Sequence, residues 1–271
     1  MPSLTSKRHH KAAKLVLVAA ALLLTGGLYA LVAPSTSVAA PNTEETVARG
    51  QALFAVSCAS CHGLNGEGMG SEGHGGQGAP SLVGVGAAAV DFQMRTGRMP
   101  MANPLAQAPN RTNTFTTEEI NSIALYVASL GDGPAIPKPE QYDIAGLSPE
   151  EVATGGDLFR TNCSACHNFQ GSGGALPNGR VAPPLLDSKP IDIYEAMRTG
   201  PGEMPVFADG AIPDEDLRAM IAYLDQVHAE PSAGLTLGGL GPVSEGFWGW
   251  VAGIGGLMLF AMWITKKAAR K

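Results

Sequence analysis

The sequence predicts a mainly α protein: two tandem copies of one small helical domain, preceded by an apolar N-terminal helix and followed by a C-terminal transmembrane helix. Three observations predict it. The phrase CASCH at 58–62 returns 105 positions later as CSACH at 163–167. The residues around the two phrases match along most of both halves, which is what duplication of a domain leaves in a chain. A charge-free run over 247–265 has about the length that a tilted spanning helix needs.

The elements come in this order. Residues 1–40 hold the basic stretch KRHHKAAK and then an apolar run over 15–33, long enough to cross a bilayer and followed by small residues ending in SVAA that fit a cleavage site. The run reads equally as a retained anchor and as a cleaved signal, and either way it sends the two domains downstream of it across the membrane. The first domain, 41–131, opens with NTEE, where Asn42 precedes Glu45 by three residues. The second, 148–229, opens with SPEE, where Ser148 precedes Glu151 and Pro149 takes the first helical position. Both are capping-box patterns.

Beyond the openings, ARGQALFAVSCASCHG answers ATGGDLFRTNCSACHN, and GAPSLVG answers VAPPLLD, each an A-P-x-L loop. A short helix ending in M-R-T-G returns at 94–97 and 197–200. Closing helices start at Thr116, with Glu119 three residues on, and near Pro213 and Asp214; their apolar residues recur at helical spacing through Tyr126 and Tyr223. Between the domains, 132–147 is a short Pro/Gly-rich connector rather than a continuing helix. A Gly/Pro-rich linker (230–246), the spanning helix (247–265) and a basic tail (266–271) complete the chain.

All four cysteines, Cys58, Cys61, Cys163 and Cys166, fall inside the two repeated phrases, so none is left for a structural disulfide elsewhere. In C-x-x-C-H, two thiols one helical turn apart can add to the vinyl groups of a haem while the adjacent His62 or His167 reaches the iron. A four-cysteine zinc site and a redox dithiol use the same thiols. Neither accounts for a His after the second Cys in both phrases, and the expectation is two covalently attached haem c groups.

An iron held by one His needs a further axial group or keeps an open position. RTGRMP (95–100) and RTGPGEMP (198–205) each supply a Met followed by Pro, and the step from His62 to Met99 equals that from His167 to Met204, 37 residues. Met99 and Met204 are therefore the candidate sixth ligands. His/Met ligation raises the potential and leaves no position free, which suits electron transfer rather than oxygen or substrate chemistry. Met101 aligns with Val206, and Met94 aligns with Met197 at an apolar helix position; these and Met69 are not assigned as ligands, and His74 in a polar Gly-rich loop reads as solvated. No acid, base or nucleophile is required, and no catalytic side chain is assigned. Each domain has roughly 80–90 residues, near the size where a core alone is barely adequate, so the haem completes the core.

The ends of the chain face a membrane. Trp248, Trp250 and Trp263 lie at the two ends of the C-terminal run, as interfacial aromatics do, and KKAARK directly after it places the C-terminus in the cytoplasm and the haem domains outside. Gly249 and Gly253 form a G-x-x-x-G that would admit a neighbouring membrane helix, although a plain lipid-facing anchor explains them nearly as well. Eight of the 18 basic residues lie in the two terminal segments, which leaves 24 acids against 10 bases between them. Nucleic acid is excluded as a partner. An acidic face can orient an encounter with a basic protein, and a surplus of acids also serves solubility alone.

The order of elements in each half resembles that of a small class I cytochrome c. With the two ends included, nearly the whole chain resembles the dihaem cytochrome c subunit of the actinobacterial cytochrome bc complex, a quinol:cytochrome c reductase. The resemblance implies that the carbonyls of Pro80 and Pro183 accept a hydrogen bond from His62 and His167. It also implies a fixed electron wire: the subunit stands with cytochrome b and a Rieske iron-sulfur protein and passes electrons through both haems to a haem-copper cytochrome c oxidase, in place of a mobile cytochrome c. An electron-accepting subunit of a membrane-bound dehydrogenase would have the same haem chemistry with a different partner. A non-haem zinc or dithiol scaffold is the other alternative.

Overall fold

The computed structural model describes residues 11–32, 43–70, 78–103, 105–229 and 242–268, and its regular elements are almost all helices. The chain divides into two units, Met1–Thr43 and Glu44–Lys271. The first contains α1 (Lys11–Val32), which carries the apolar run and begins four residues before it. Its leucines from Leu15 to Leu28 are exposed, as an apolar helix without a protein partner leaves them.

In the second unit the repeat is visible element by element. The first copy comprises α2 (Thr43–Ser57), α3 (Ala59–His62), α4 (Gly86–Arg95) and α5 (Thr117–Ala128). The second comprises α7 (Pro149–Asn162), α8 (Ser164–His167), α9 (Pro190–Thr199) and α10 (Asp214–Ala229). Reciprocal capping boxes start α5 at Thr116 with Glu119 and α7 at Ser148 with Glu151. Each satisfies two of the amide groups that a helix start leaves unpaired. The Asn42 cap lies outside the described residues.

Three features go beyond the sequence reading. The connector does not continue α5 but holds one turn of its own, α6 (Pro139–Tyr142), because Pro139 takes the first helical position and the Gln141 side chain accepts from the Lys138 amide at 3.0 Å. The second copy carries a two-residue antiparallel ladder, β1 (Gly174–Ala175) with β2 (Val181–Ala182), too short to leave a period in the sequence. The C-terminal helix α11 runs over Pro242–Ala268, starting before the charge-free run, and its exposed apolar stretch Glu245–Lys267 meets the length and hydropathy of a membrane span.

Each copy folds around a close crossing of its opening and closing helices. Gly50 of α2 lies so near α5 that an added Cβ would stand 1.9 Å from the Ser122 carbonyl oxygen, and Gly155 of α7 repeats this at 2.1 Å from the Ala219 carbonyl oxygen. These glycines let Phe54 pack on Tyr126 (ring centroids 5.2 Å) and Phe159 on Tyr223 (5.8 Å). Ile120, Ile123 and Val127 fill the first core, and Leu217, Met220 and Leu224 the second. Because the obstacle is a helix backbone, Gly155→Ala is expected to destabilise the second copy by about 1–3 kcal/mol or more, read as a lowered thermal midpoint.

The two copies meet through equivalent helices, α4 against α9. Arg95 of α4 pairs with Asp91 on its own helix (2.8 Å) and crosses to Asp192 and Glu195 on α9. Glu195 is 0% exposed. Burial, and next the charge of Asp91, push its carboxyl up to about 9 against the opposing pull of Arg95. Between its ordinary value near 4.5 and about 9, the folded chain therefore holds one proton more than the unfolded chain, so this group's contribution to stability falls as pH rises across that window. Glu195→Gln is expected to flatten that part of the slope in urea unfolding followed between pH 5 and pH 9.

Candidate functional site

Both C-x-x-C-H phrases fold into the same turn. The amide of Cys58 donates to the Phe54 carbonyl at 2.8 Å, and the amides of Cys61 and His62 donate to the Cys58 carbonyl at 3.1 and 2.9 Å. The second phrase repeats all three bonds at the same lengths: Cys163 to Phe159, and Cys166 and His167 to Cys163. A spacing of three on a helical turn puts the two cysteines of each phrase on one face. Cys58 and Cys163 are half-buried against the two cores, Cys61 and Cys166 are exposed, and none of the four is in a disulfide. Burial, with the partner cysteine adding to it, pushes the Cys58 and Cys163 thiols up to about 11. Among the described residues no three His, Cys, Asp or Glu side chains come together as a metal would need, so the four cysteines do not converge on one zinc.

His62 and His167 are 9% and 8% exposed. Their Nδ1 atoms lie 2.9 Å from the carbonyl oxygens of Pro80 and Pro183. A carbonyl only accepts, so the proton stands on Nδ1 and the lone pair of Nε2 is left for a metal. Burial holds the His167 pKa below its ordinary value against the opposing hydrogen bond to Pro183, which favours the neutral, ligating form.

The loops that bring those prolines up are themselves tied to the histidines. The Gly68 amide donates to the His62 carbonyl at 2.7 Å and the Gly173 amide to the His167 carbonyl at 3.0 Å, while Leu82 and Leu185 donate back to Gly66 and Gly171. Gly68 and Gly173 both have φ near +80, and a Cβ on either would stand within 3.0 Å of the backbone of the A-P-x-L loop. They are functional residues that the sequence reading missed. Their signal was present: each follows its His by six positions.

Met99 and Met204 border the same apolar clusters as Cys58 and Cys163 of their own copies. Their loops are anchored differently. The Met99 amide donates to the Gln93 carbonyl at 3.0 Å, whereas the longer second loop closes through Met204 on Pro201 and Phe207 on Met197. Met94 and Met197 lie deep in the cores, as their helix positions predict. Met69 and Met101 are partly buried, and His74 lies outside the described residues. Each copy thus presents two thiols on one turn, a buried imidazole with a fixed tautomer, and a thioether at the edge of the same apolar cluster. These groups suit a large apolar ring attached by thioether bonds and holding an iron.

Residues 47–131 match the family model described as cytochrome c, and residues 150–224 match the one described as cytochrome C oxidase, cbb3-type, subunit III. Proteins named as the cytochrome bc1 complex cytochrome c subunit are similar over nearly the whole length. The one from Corynebacterium efficiens is 40% identical over 271 residues, 93% of this chain and 90% of the relative. That from Corynebacterium diphtheriae is 39% identical over 276 residues, 97% and 96% respectively. That from Mycobacterium tuberculosis is 40% identical over 258 residues, 93% and 90%.

Proposed function

The chain belongs to the family of cytochrome bc1 complex cytochrome c subunits, and from that premise we propose that it is a membrane-anchored electron wire with one haem c in each copy of the repeat. It is a membrane cytochrome c subunit of quinol:cytochrome c reductase. The observation that carries the two-haem reading is the duplicated turn, with a buried His whose Nδ1 is held by a proline carbonyl in both copies.

Cys58 and Cys61 would attach the first haem, and Cys163 and Cys166 the second. His62 with Met99, and His167 with Met204, would hold the iron of each. When bound, haem supplies one-electron chemistry between ferric and ferrous iron. The chain's own residues do the rest. The Pro80 and Pro183 carbonyls fix the imidazole rings and raise their basicity. The Met99 and Met204 thioethers would leave the iron no free position, which suits electron transfer rather than oxygen or substrate chemistry. The apolar clusters keep water from the ligands.

Exposed Trp248, Trp250 and Trp263 on α11, with the Lys267 ammonium 4.7 Å from the Trp263 ring, suit a helix whose basic end lies at the cytoplasmic face. The haem domains then stand outside, between a Rieske protein and cytochrome b on one hand and a haem-copper oxidase on the other. The full-length relatives do not favour a dehydrogenase subunit. Affinity purification of the chain from its own membrane in mild detergent tests the partners. Reduced-minus-oxidised bands of b-type and a-type haem beside c-type haem are expected, and c-type bands alone would remove the proposed partners.

A further inference from the structure

The duplication exposes one residue whose neighbours are not those of its twin. Arg95 and Arg198 occupy the same place in M-R-T-G. Arg198 stays within its own copy: it donates to the carbonyls of Phe207 (2.9 Å) and Ile212 (2.8 Å), pairs with Asp214 and lies over the Tyr194 ring. Arg95 instead leaves its copy and reaches Asp192 and Glu195 of the other. Glu195 is equally out of pattern. The aligned position in the first copy is Phe92, a buried apolar side chain, so the second copy places a carboxyl where the fold has room for an apolar group. A buried carboxyl without a hydrogen-bond partner is strongly unfavourable whether or not it keeps its proton, and among the described residues the partners of this one, Arg95 and Asp91, both lie across the interface.

A second contact joins the copies independently. The exposed side chain of Gln107, in the chain that follows Met99, donates from Nε2 to the Val181 carbonyl at 2.7 Å and accepts from the Val181 amide at 2.9 Å. Its amide thus pairs with both backbone groups of one β2 residue, as a neighbouring strand would. Both contacts link the segment around one candidate ligand, Met99, to the second copy, and α9, on which Arg95 closes, leads into the loop of Met204.

We propose that Arg95 and Gln107 are positioning residues that clamp the first copy onto the second through Glu195, Asp192 and Val181, and thereby fix the arrangement across which electrons pass between the two haem sites. The proposal rests on the two-haem reading. A clamp with two separated points resists rotation as well as separation, which a single ion pair on a short connector does not. Fixed geometry matters because small displacements of reacting groups lower rates steeply.

The test uses the full chain in its purified membrane complex. One electron is injected photochemically, and its equilibration between the two haems is followed spectroscopically. The double variant Arg95→Ala with Gln107→Ala is expected to keep both covalent haems and both potentials, to slow equilibration at least about tenfold, and to expose residues 132–147 to protease. Arg95→Lys is expected to fall between, since a lysine keeps the charge without the planar fork that bridges two carboxylates. Gln107→Ala alone, at an exposed side chain that does not threaten folding, is expected to slow the exchange in the same direction. Unchanged equilibration in both the double and the Gln107 variants would overturn the proposal. So would a shifted potential at either haem, which would place the effect inside one copy. A wild-type chain with a single haem would overturn the underlying reading as well, and haem content measured on the same samples distinguishes that failure from the others.

Discussion

Replacing both Cys58 and Cys61 by serine is expected to halve the covalently bound haem, leaving one of the two proposed groups. Serine keeps the turn, because the bonds that define it run between backbone groups of Phe54, Cys58, Cys61 and His62 and do not involve sulfur. What it removes is the pair of thiols available for thioether attachment. Changing Cys163 and Cys166 should have the mirror effect and leave the first group. Intact mass of the denatured chain reads the number directly, and with a gap in the wire quinol oxidation by the assembled complex should fall to near zero in either variant. A fully loaded double-serine variant would show that these thiols are not the attachment points. A haem in each copy would complete its small core, so the emptied copy should also unfold at lower temperature than its loaded neighbour.

Met99→Ala and Met204→Ala are expected to separate attachment from ligation. Each variant should retain its covalent haem and lose the thioether, so that the potential of that one site falls by on the order of 0.1 V or more, within the ~0.8 V that axial ligands command. A site of lowered potential accepts electrons less readily from its donor, and quinol oxidation should slow severely. Met94→Leu and Met197→Leu are the matched controls. Both methionines are buried core residues, and a volume-conserving change there costs less than about 1.5 kcal/mol while leaving the potentials unmoved. A redox titration of all four variants decides the matter: unchanged potentials in both alanine variants would show that Met99 and Met204 are not ligands.

Much of this was legible before any coordinates, for identifiable reasons. Helix starts are local, and Thr116 with Glu119 or Ser148 with Glu151 carries the whole device within four residues. Duplication doubled every other signal, so that His62 and His167, or Phe54 and Phe159, could be paired by position alone. Gly68 and Gly173 were legible in principle, through their equal offset from the histidines, but their reason is a close approach between segments distant in sequence. The turn at 139–142 was hidden by composition, since the same prolines that mark a linker also start helices. The crossing of Arg95 was beyond reach. Identical M-R-T-G sequences surround Arg95 and Arg198, and only the packing of α4 on α9 gives them different partners.

The most direct test of the electron path is a rapid-mixing experiment on the purified complex with its oxidase, held without oxygen. On addition of quinol, the c-type bands of this chain should rise together with the b-type bands, and on admission of oxygen they should be re-oxidised within the turnover time of the oxidase. Haem c that remains oxidised beside excess quinol, or that stays reduced while the oxidase turns over, would contradict the placement of this chain between the two enzymes.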